Sequence, residues 1–132
     1  MIINKILVGA PTTGETSAAV RAAAGLASSH QAELVVLQLE AVIDARRVFD
    51  PAGVPEPTNP VGALALAFPG LRVRARRARG CAVRAVCDAA AAERPDLVFM
   101  AQGRAGTATV HSGRASRNLV STVACPVVLV ST

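Results

Sequence analysis

Aromatic residues are nearly missing from this chain, which has no tryptophan, no tyrosine and three phenylalanines in 132 residues. Large flat side chains therefore cannot build its core. The core has to be aliphatic and closely packed, with alanine carrying much of the 52% hydrophobic content. Cysteine is scarce as well. Cys81, Cys87 and Cys125 are an odd number without metal-ligand spacing, which argues against a disulfide framework and against zinc. All three read as small buried hydrophobes, and Cys81, close to several arginines, is the one candidate for a reactive thiol. No apolar run is long enough to span a bilayer. The N-terminus lacks a basic segment, a long apolar segment and a cleavage site in that order, so a cytoplasmic protein is expected. The phosphate-binding signature G-x-x-x-x-G-K-[ST] and the dinucleotide signature G-x-G-x-x-G are both absent. No Ser/His/Asp or Cys/His set has recognisable local context, and Asp44, Asp50 and Asp88 stand apart from glycine loops. A protein that acts by binding rather than by turnover is expected, with no catalytic residues and no metal site.

What remains is one domain's worth of chain, too apolar to be disordered. Its net charge is +5, from 14 Lys and Arg against 9 Asp and Glu. Nearly all the excess lies in Arg72, Arg74, Arg76, Arg77, Arg79 and Arg84. Such a patch can meet an anionic partner. Aromatics for base stacking do not interleave it, which weighs against single-stranded nucleic acid.

Residues 2–10 are apolar and β-branched, bounded by Gly9 and Pro11, and predict a buried strand followed by a loop at residues 11–14. Over residues 18–30, Val20, Ala23, Ala24 and Ala27 recur at helical spacing. His30 falls in the last turn, where a partial positive charge suits the helix dipole. Residues 33–39 predict a second strand. Residues 41–70 are irregular, with five prolines and three glycines. The spacing allows short helices near 42–48 and 61–68, with Phe49 and Phe68 as anchors and residues 50–60 mobile. Residues 71–76 alternate apolar and arginine, the pattern of an edge strand with one wet face, where charge also opposes unwanted strand addition. After Gly80, the positions Val83, Val86, Cys87, Ala90 and Ala91 form the best helical stripe in the chain.

The last third, residues 96–132, reads as strand, loop, helix, strand. Leu97-Val98-Phe99-Met100-Ala101 is apolar. A glycine-punctuated loop runs from Gln102 through Gly103 and Gly106 to Gly113 and contains His111, which reads as an exposed loop residue. Residues 114–124 predict a helix, and Val127-Val128-Leu129-Val130 a last strand. A glycine loop between a strand and a helix start can turn backbone N–H groups toward an anion. Strands alternating with helices predict a parallel sheet covered on both faces. Ligands bind such sheets beyond the carboxyl ends of the strands, so the loops after Gly9-Ala10 and after Met100-Ala101 are the candidate site.

These segments together resemble the universal stress protein family over nearly the whole chain. The resemblance rests on Lys5-Ile6-Leu7-Val8, the helix leading into Ala32-Glu33-Leu34-Val35-Val36-Leu37, Gly80, Pro95-Asp96-Leu97-Val98-Phe99-Met100, the glycine loop and Cys125-Pro126-Val127-Val128-Leu129-Val130. It implies an α/β fold of the adenine nucleotide alpha-hydrolase-like type, with a five-stranded parallel sheet in order 3-2-1-4-5 and helices on both faces. It also implies dimers, often through the last strand, and in many members ATP bound by G-x-x-G, nine residues, then G-S or G-T, with an acidic residue after the first strand. Gly103, the nine residues 104–112 and Gly113 match the second half of that motif. Ala101 stands where the first glycine would be, with Gln102 alone before Gly103, so the loop is one residue shorter. Arg114 stands at the hydroxyl position, and Ala10 or Pro11 at the acidic one. The resemblance thus implies a nucleotide site at Gly9, Ala10, Pro11, Met100, Ala101, Gly103, Gly113, Arg114, Ala115 and Ser116, with weakened or lost ATP binding. The expected protein is a regulatory or interaction module with a protein partner, dimeric through Val127, Val128, Leu129 and Val130. Two readings stand beside it: a true binder of ATP or cyclic AMP with at most slow hydrolysis, and a basic module for nucleic acid or another anionic partner.

Overall fold

The computed structural model describes residues 2–11, 18–40, 60–79, 82–102 and 121–131. The elements are β1 (Lys5–Pro11), α1 (Ala18–His30), β2 (Glu33–Glu40), α2 (Pro60–Ala67), β3 (Arg72–Arg79), α3 (Ala82–Glu93), β4 (Leu97–Gln102) and β5 (Val127–Ser131). The strands form one five-stranded parallel sheet in order β3-β2-β1-β4-β5. The expectations at residues 42–48, Phe49 and 50–59 lie outside the described residues, whereas Pro60, expected in the mobile stretch, is the first residue of α2. Most of the helix expected at 114–124 also lies outside them; Ser121 and Thr122 are helical, and Val123 and Ala124 are not.

The sheet is apolar on both faces because successive side chains point to opposite sides. On one face Ile6, Val8, Leu34, Val36, Leu97 and Phe99 pack with Ala19, Val20, Ala23, Ala24 and Ala27 of α1 and Leu64 of α2. On the other, Leu7, Val35, Leu37, Val98 and Met100 pack with Ala85, Val86, Ala89 and Ala90 of α3. Alanine on the inner face of each helix lets the helix lie close to the sheet, which is how a core with few aromatics is filled. Phe68 packs against the α1 face, as an anchor should.

Several boundaries and faces differ from the sequence reading. β1 starts at Lys5 and not at Ile2, because the Asn4 amide donates to the Asp96 carboxylate and Ile2 is exposed. Pro11, expected in a loop, is the last residue of β1, in register with Leu39. A proline needs no ladder donor at a strand end. β3 runs on to Arg79, in parallel register with β2 from Glu33–Arg72 to Glu40–Arg79, so backbone pairing outlasts the apolar alternation. In α3 the buried stripe is centred on Ala85, Val86, Ala89 and Ala90; Ala91 is exposed and Val83 and Cys87 are half-buried. Alanine is small enough to sit on either side of such a stripe, so the pattern left the helix's rotation open. Cys87 and Cys125 are half-buried, less enclosed than expected, while Cys81 lies outside the described residues. Burial, with the Asp96 charge adding to it, pushes the Cys125 thiol up, away from the reactive thiolate.

The two longer helices, α1 and α3, are each followed by a residue in the left-handed region, Gln31 at φ 55° and Arg94 at φ 51°. After α1, the Ala32 amide donates to the Ala27 carbonyl at 2.8 Å and the Gln31 amide to the Ser28 carbonyl at 3.3 Å, a Schellman pair. After α3, the Arg94 amide donates to the Ala90 carbonyl at 2.9 Å. Pro95 then forbids further helix, and the chain turns into β4.

Candidate functional site

Three strand pairings define the site. β1 follows β2 in register as far as Pro11–Leu39, and β4 follows β5 as far as Gln102–Ser131. Between β1 and β4, however, the register runs only from Ile6–Leu97 to Val8–Phe99. Pairing between β1 and β4 therefore ends short of their carboxyl ends. This is where the strand order reverses, the point at which open α/β sheets form a crevice.

The closed end of the same strand pair is pinned by Asp96. One of its carboxylate oxygens accepts from the amides of Asn4 at 2.8 Å and Lys5 at 3.0 Å, while its own amide donates to the Lys5 carbonyl at 2.8 Å. A carboxylate held by backbone donors from the neighbouring strand fixes the register of β4 against β1. Asp96 thereby decides which residues of each strand reach the crevice.

The structure brings Gly9, Ala10 and Pro11 of β1 to one side of this opening and Met100, Ala101 and Gln102 of β4 to the other. Gly103, Gly113, Arg114, Ala115 and Ser116 lie outside the described residues. Gly9 is buried, and a Cβ there would overlap the Met100 sulfur, with the Met100 methyl 3.3 Å away and a Val86 methyl at 3.5 Å. Met100 is fully buried in the α3-side core. Its thioether fills the space that glycine leaves.

Two residues that the sequence reading passed over prove important. Gln38, in register with Ala10, is a buried polar residue at 5% exposure near the carboxyl end of β2. A glutamine inside an otherwise apolar strand was the available signal. Glu93, the last residue of α3, is the second. Its side chain is 8% exposed and meets Lys5 at 3.4 Å, Arg74 at 2.5 Å and Arg76 at 3.0 Å. Arg74 also reaches Glu33 at 3.0 Å. Hydrogen bonds from Arg74, then Arg76 and Lys5, hold the Glu93 carboxyl down at about 2 against burial. The same contacts raise the Arg74 guanidinium. This cluster lies at the amino ends of β1 and β2, away from the crevice. It accounts for part of the arginine run: Arg74 and Arg76 bind an internal carboxylate, not only solvent. His30 is exposed at the end of α1. Among the described residues, no three His, Cys, Asp or Glu side chains converge as a metal site would require. No helix among them is long and apolar enough to cross a membrane.

A parallel sheet wound by helices on both faces, with its strand order reversing at β1 and β4, is the architecture of the doubly wound α/β folds. The model of the universal stress protein family matches residues 3–131. The chain belongs to that family. Among solved structures it is similar to a universal stress protein in complex with cAMP, at 20% identity over 100% of this chain and 99% of that one, TM-score 0.66. It is also similar to the universal stress protein UspA from Lactobacillus plantarum, at 17% identity over 98% and 99%, TM-score 0.65. A third is the universal stress protein from Archaeoglobus fulgidus in complex with dAMP, at 13% identity over 98% of each chain, TM-score 0.61. No curated protein matches the sequence. At these identities the likeness carries the fold.

Proposed function

We propose that this protein is a dimeric universal-stress-type module that regulates by binding a protein partner, with an adenine-nucleotide crevice that has lost most of its grip on ATP. The observation that carries this reading is the end of β1. Ala10-Pro11 stands at the crevice mouth, where a carboxylate would have to accept from a ribose or adenine, and neither residue has a side-chain acceptor. Pro11 also lacks an N–H to offer a phosphate. Across the opening, Ala101 replaces the first glycine of the loop and Arg114 the hydroxyl, so binding through Gly103, Gly113, Ala115 and Ser116 would rest on backbone donors and on Arg114 pairing with phosphate. Nothing in this arrangement calls for a catalytic step.

Isothermal titration with ATP, ADP and cyclic AMP tests the pocket, and weak or absent heat is expected for each. A submicromolar ATP dissociation constant would overturn the degenerate-pocket reading. The similar structures that hold cAMP and dAMP favour a second reading, a working adenine-nucleotide binder, and the same titration decides between the two.

The dimer rests on the two edges of the sheet. β3 carries arginines at Arg72, Arg74, Arg76, Arg77 and Arg79, whereas β5, at the other edge, has no charge in Val127-Val128-Leu129-Val130. Val127 and Leu129 pack into the α3-side core and Val130 against the α1 face, but Val128 is 36% exposed. An uncharged apolar edge is a pairing surface, closed by its own copy about a two-fold axis. Val128→Lys should shift the protein to monomer in light scattering without unfolding it. A wild type that is monomeric at high concentration, or a variant that stays dimeric, would remove β5 from the interface.

A further inference from the structure

A cleft of about 500 Å³ lies between the end of α1 and the start of β3. Ala27, Ser28, Gln31 and Ala32 line one side, and Pro69, Gly70, Leu71 and Arg72 the other. We propose that this cleft binds a small zwitterion, a free α-amino acid with a short apolar side chain, between Arg72 and the carbonyl end of α1.

Three features carry the inference. First, Arg72 is held in place by a neutral group. Its Nη2 donates at 3.0 Å to the Gln31 carbonyl. Glu33, opposite Arg72 in register, meets Arg74 at 3.0 Å, and among the described residues no carboxylate lines the cleft. A guanidinium has five N–H donors, so others remain for a ligand carboxylate. Second, the facing side is the last turn of α1. The final carbonyls of a helix lack intrahelical donors and carry the negative end of its dipole, which favours a cation. The Ser28 carbonyl accepts the Gln31 amide at 3.3 Å and keeps a second lone pair. A simple anion would meet this negative end as well as Arg72, and a simple cation would meet Arg72 as well as the carbonyls. A zwitterion suits both. An α-amino acid carries its two charged groups on one carbon, and Arg72 and the Gln31 carbonyl are close enough for one such molecule to reach both. Third, the lining offers an apolar rest for the side chain. Ala27 and Ala32 are buried, and Leu71 packs against the α1-side core. The volume falls within the range of small-ligand sites. The cleft lies at the amino ends of β2 and β3, the opposite end of the sheet from the β1–β4 crevice, and it stands whether or not that crevice binds nucleotide.

Amide chemical shifts of the full chain, followed during titration with L-valine, test the proposal. N-acetyl-L-valine, which lacks the ammonium, and L-valinamide, which lacks the carboxylate, are titrated in parallel. Saturable shifts at Ala27, Ala32 and Leu71 are expected with valine. Each analogue should bind at least about tenfold more weakly, since each loses charge-assisted hydrogen bonds. Arg72→Gln should weaken valine binding at least about tenfold for the same reason. Ser28→Leu, which fills the cleft from an exposed helix position, should abolish it. The analogue comparison needs only the wild type, so it decides the matter even where a variant folds poorly. The proposal is overturned if valine gives no saturable shifts below about 20 mM, a limit set well above weak site binding. It is equally overturned if either analogue binds as tightly as valine, if the shifts centre on Gly9 and Met100, or if either folded variant leaves the affinity unchanged.

Discussion

Replacing Glu93 by glutamine should cost stability at neutral pH and nothing in strong acid. The carboxyl sits at about 2 in the folded chain against an ordinary 4.5, because Arg74, Arg76 and Lys5 converge on it. A difference of that size corresponds to roughly 3 kcal/mol if the cluster were sealed from solvent. It is not sealed: the Arg74 and Arg76 side chains are 47% and 40% exposed. Screening of half-exposed partners reduces the expected loss to about 1–2 kcal/mol. Because the folded value lies below the unfolded one, the contribution is complete above about pH 5 and fades as pH falls toward 2. By pH 3 less than about half of it should remain. Urea unfolding of wild type and Glu93→Gln, at pH 7 and again at pH 3, reads the difference directly. Other carboxylates titrate in both proteins and cancel in the comparison. A gap below about 0.3 kcal/mol at pH 7, within the range of exposed pairs, would refute the cluster's role. So would a gap that stays constant down to pH 3.

Two further substitutions probe the packing and the turns. Gly9→Ala should destabilise by about 1–2 kcal/mol in chemical denaturation, since its Cβ must displace the buried Met100 thioether. Combining it with Met100→Ala should cost less than the two changes added, and simple additivity would show that the pair do not share that space. Gln31→Gly and Arg94→Gly should each raise stability by about 0.5–1 kcal/mol, because glycine removes the left-handed strain of roughly 1–2 kcal/mol while giving back part of it in unfolded-chain freedom. A fall in melting temperature for either would contradict the helix-end geometry.

Much of the fold was legible because it rests on periodicity. Alanines and valine at helical spacing marked α1, the apolar runs marked β1, β2, β4 and β5, and the alternation of arginine with small apolar residues placed β3 at an edge, where it lies. The order of these elements, with the motif fragments between them, was enough to point to the family. Periodicity says which way a side chain faces, but not what it meets there. Glu93 carries no local signal of its role, which exists only because parallel pairing brings Lys5, Arg74 and Arg76 from two other strands onto it. Nor does Asp96, whose carboxylate accepts from the amides of Asn4 and Lys5, 92 and 91 residues away. Alanine-rich α3 could not declare its rotation, because a methyl group fits the core or the surface at nearly equal cost. The crevice was predictable in place, since it follows from strand order. Where pairing between β1 and β4 stops, at Val8–Phe99, and the methionine beside Gly9 were not. Local pattern thus determined the elements and their sequence, while charges and side chains far apart in the chain decided how those elements meet, because such contacts exist only once the sheet has formed.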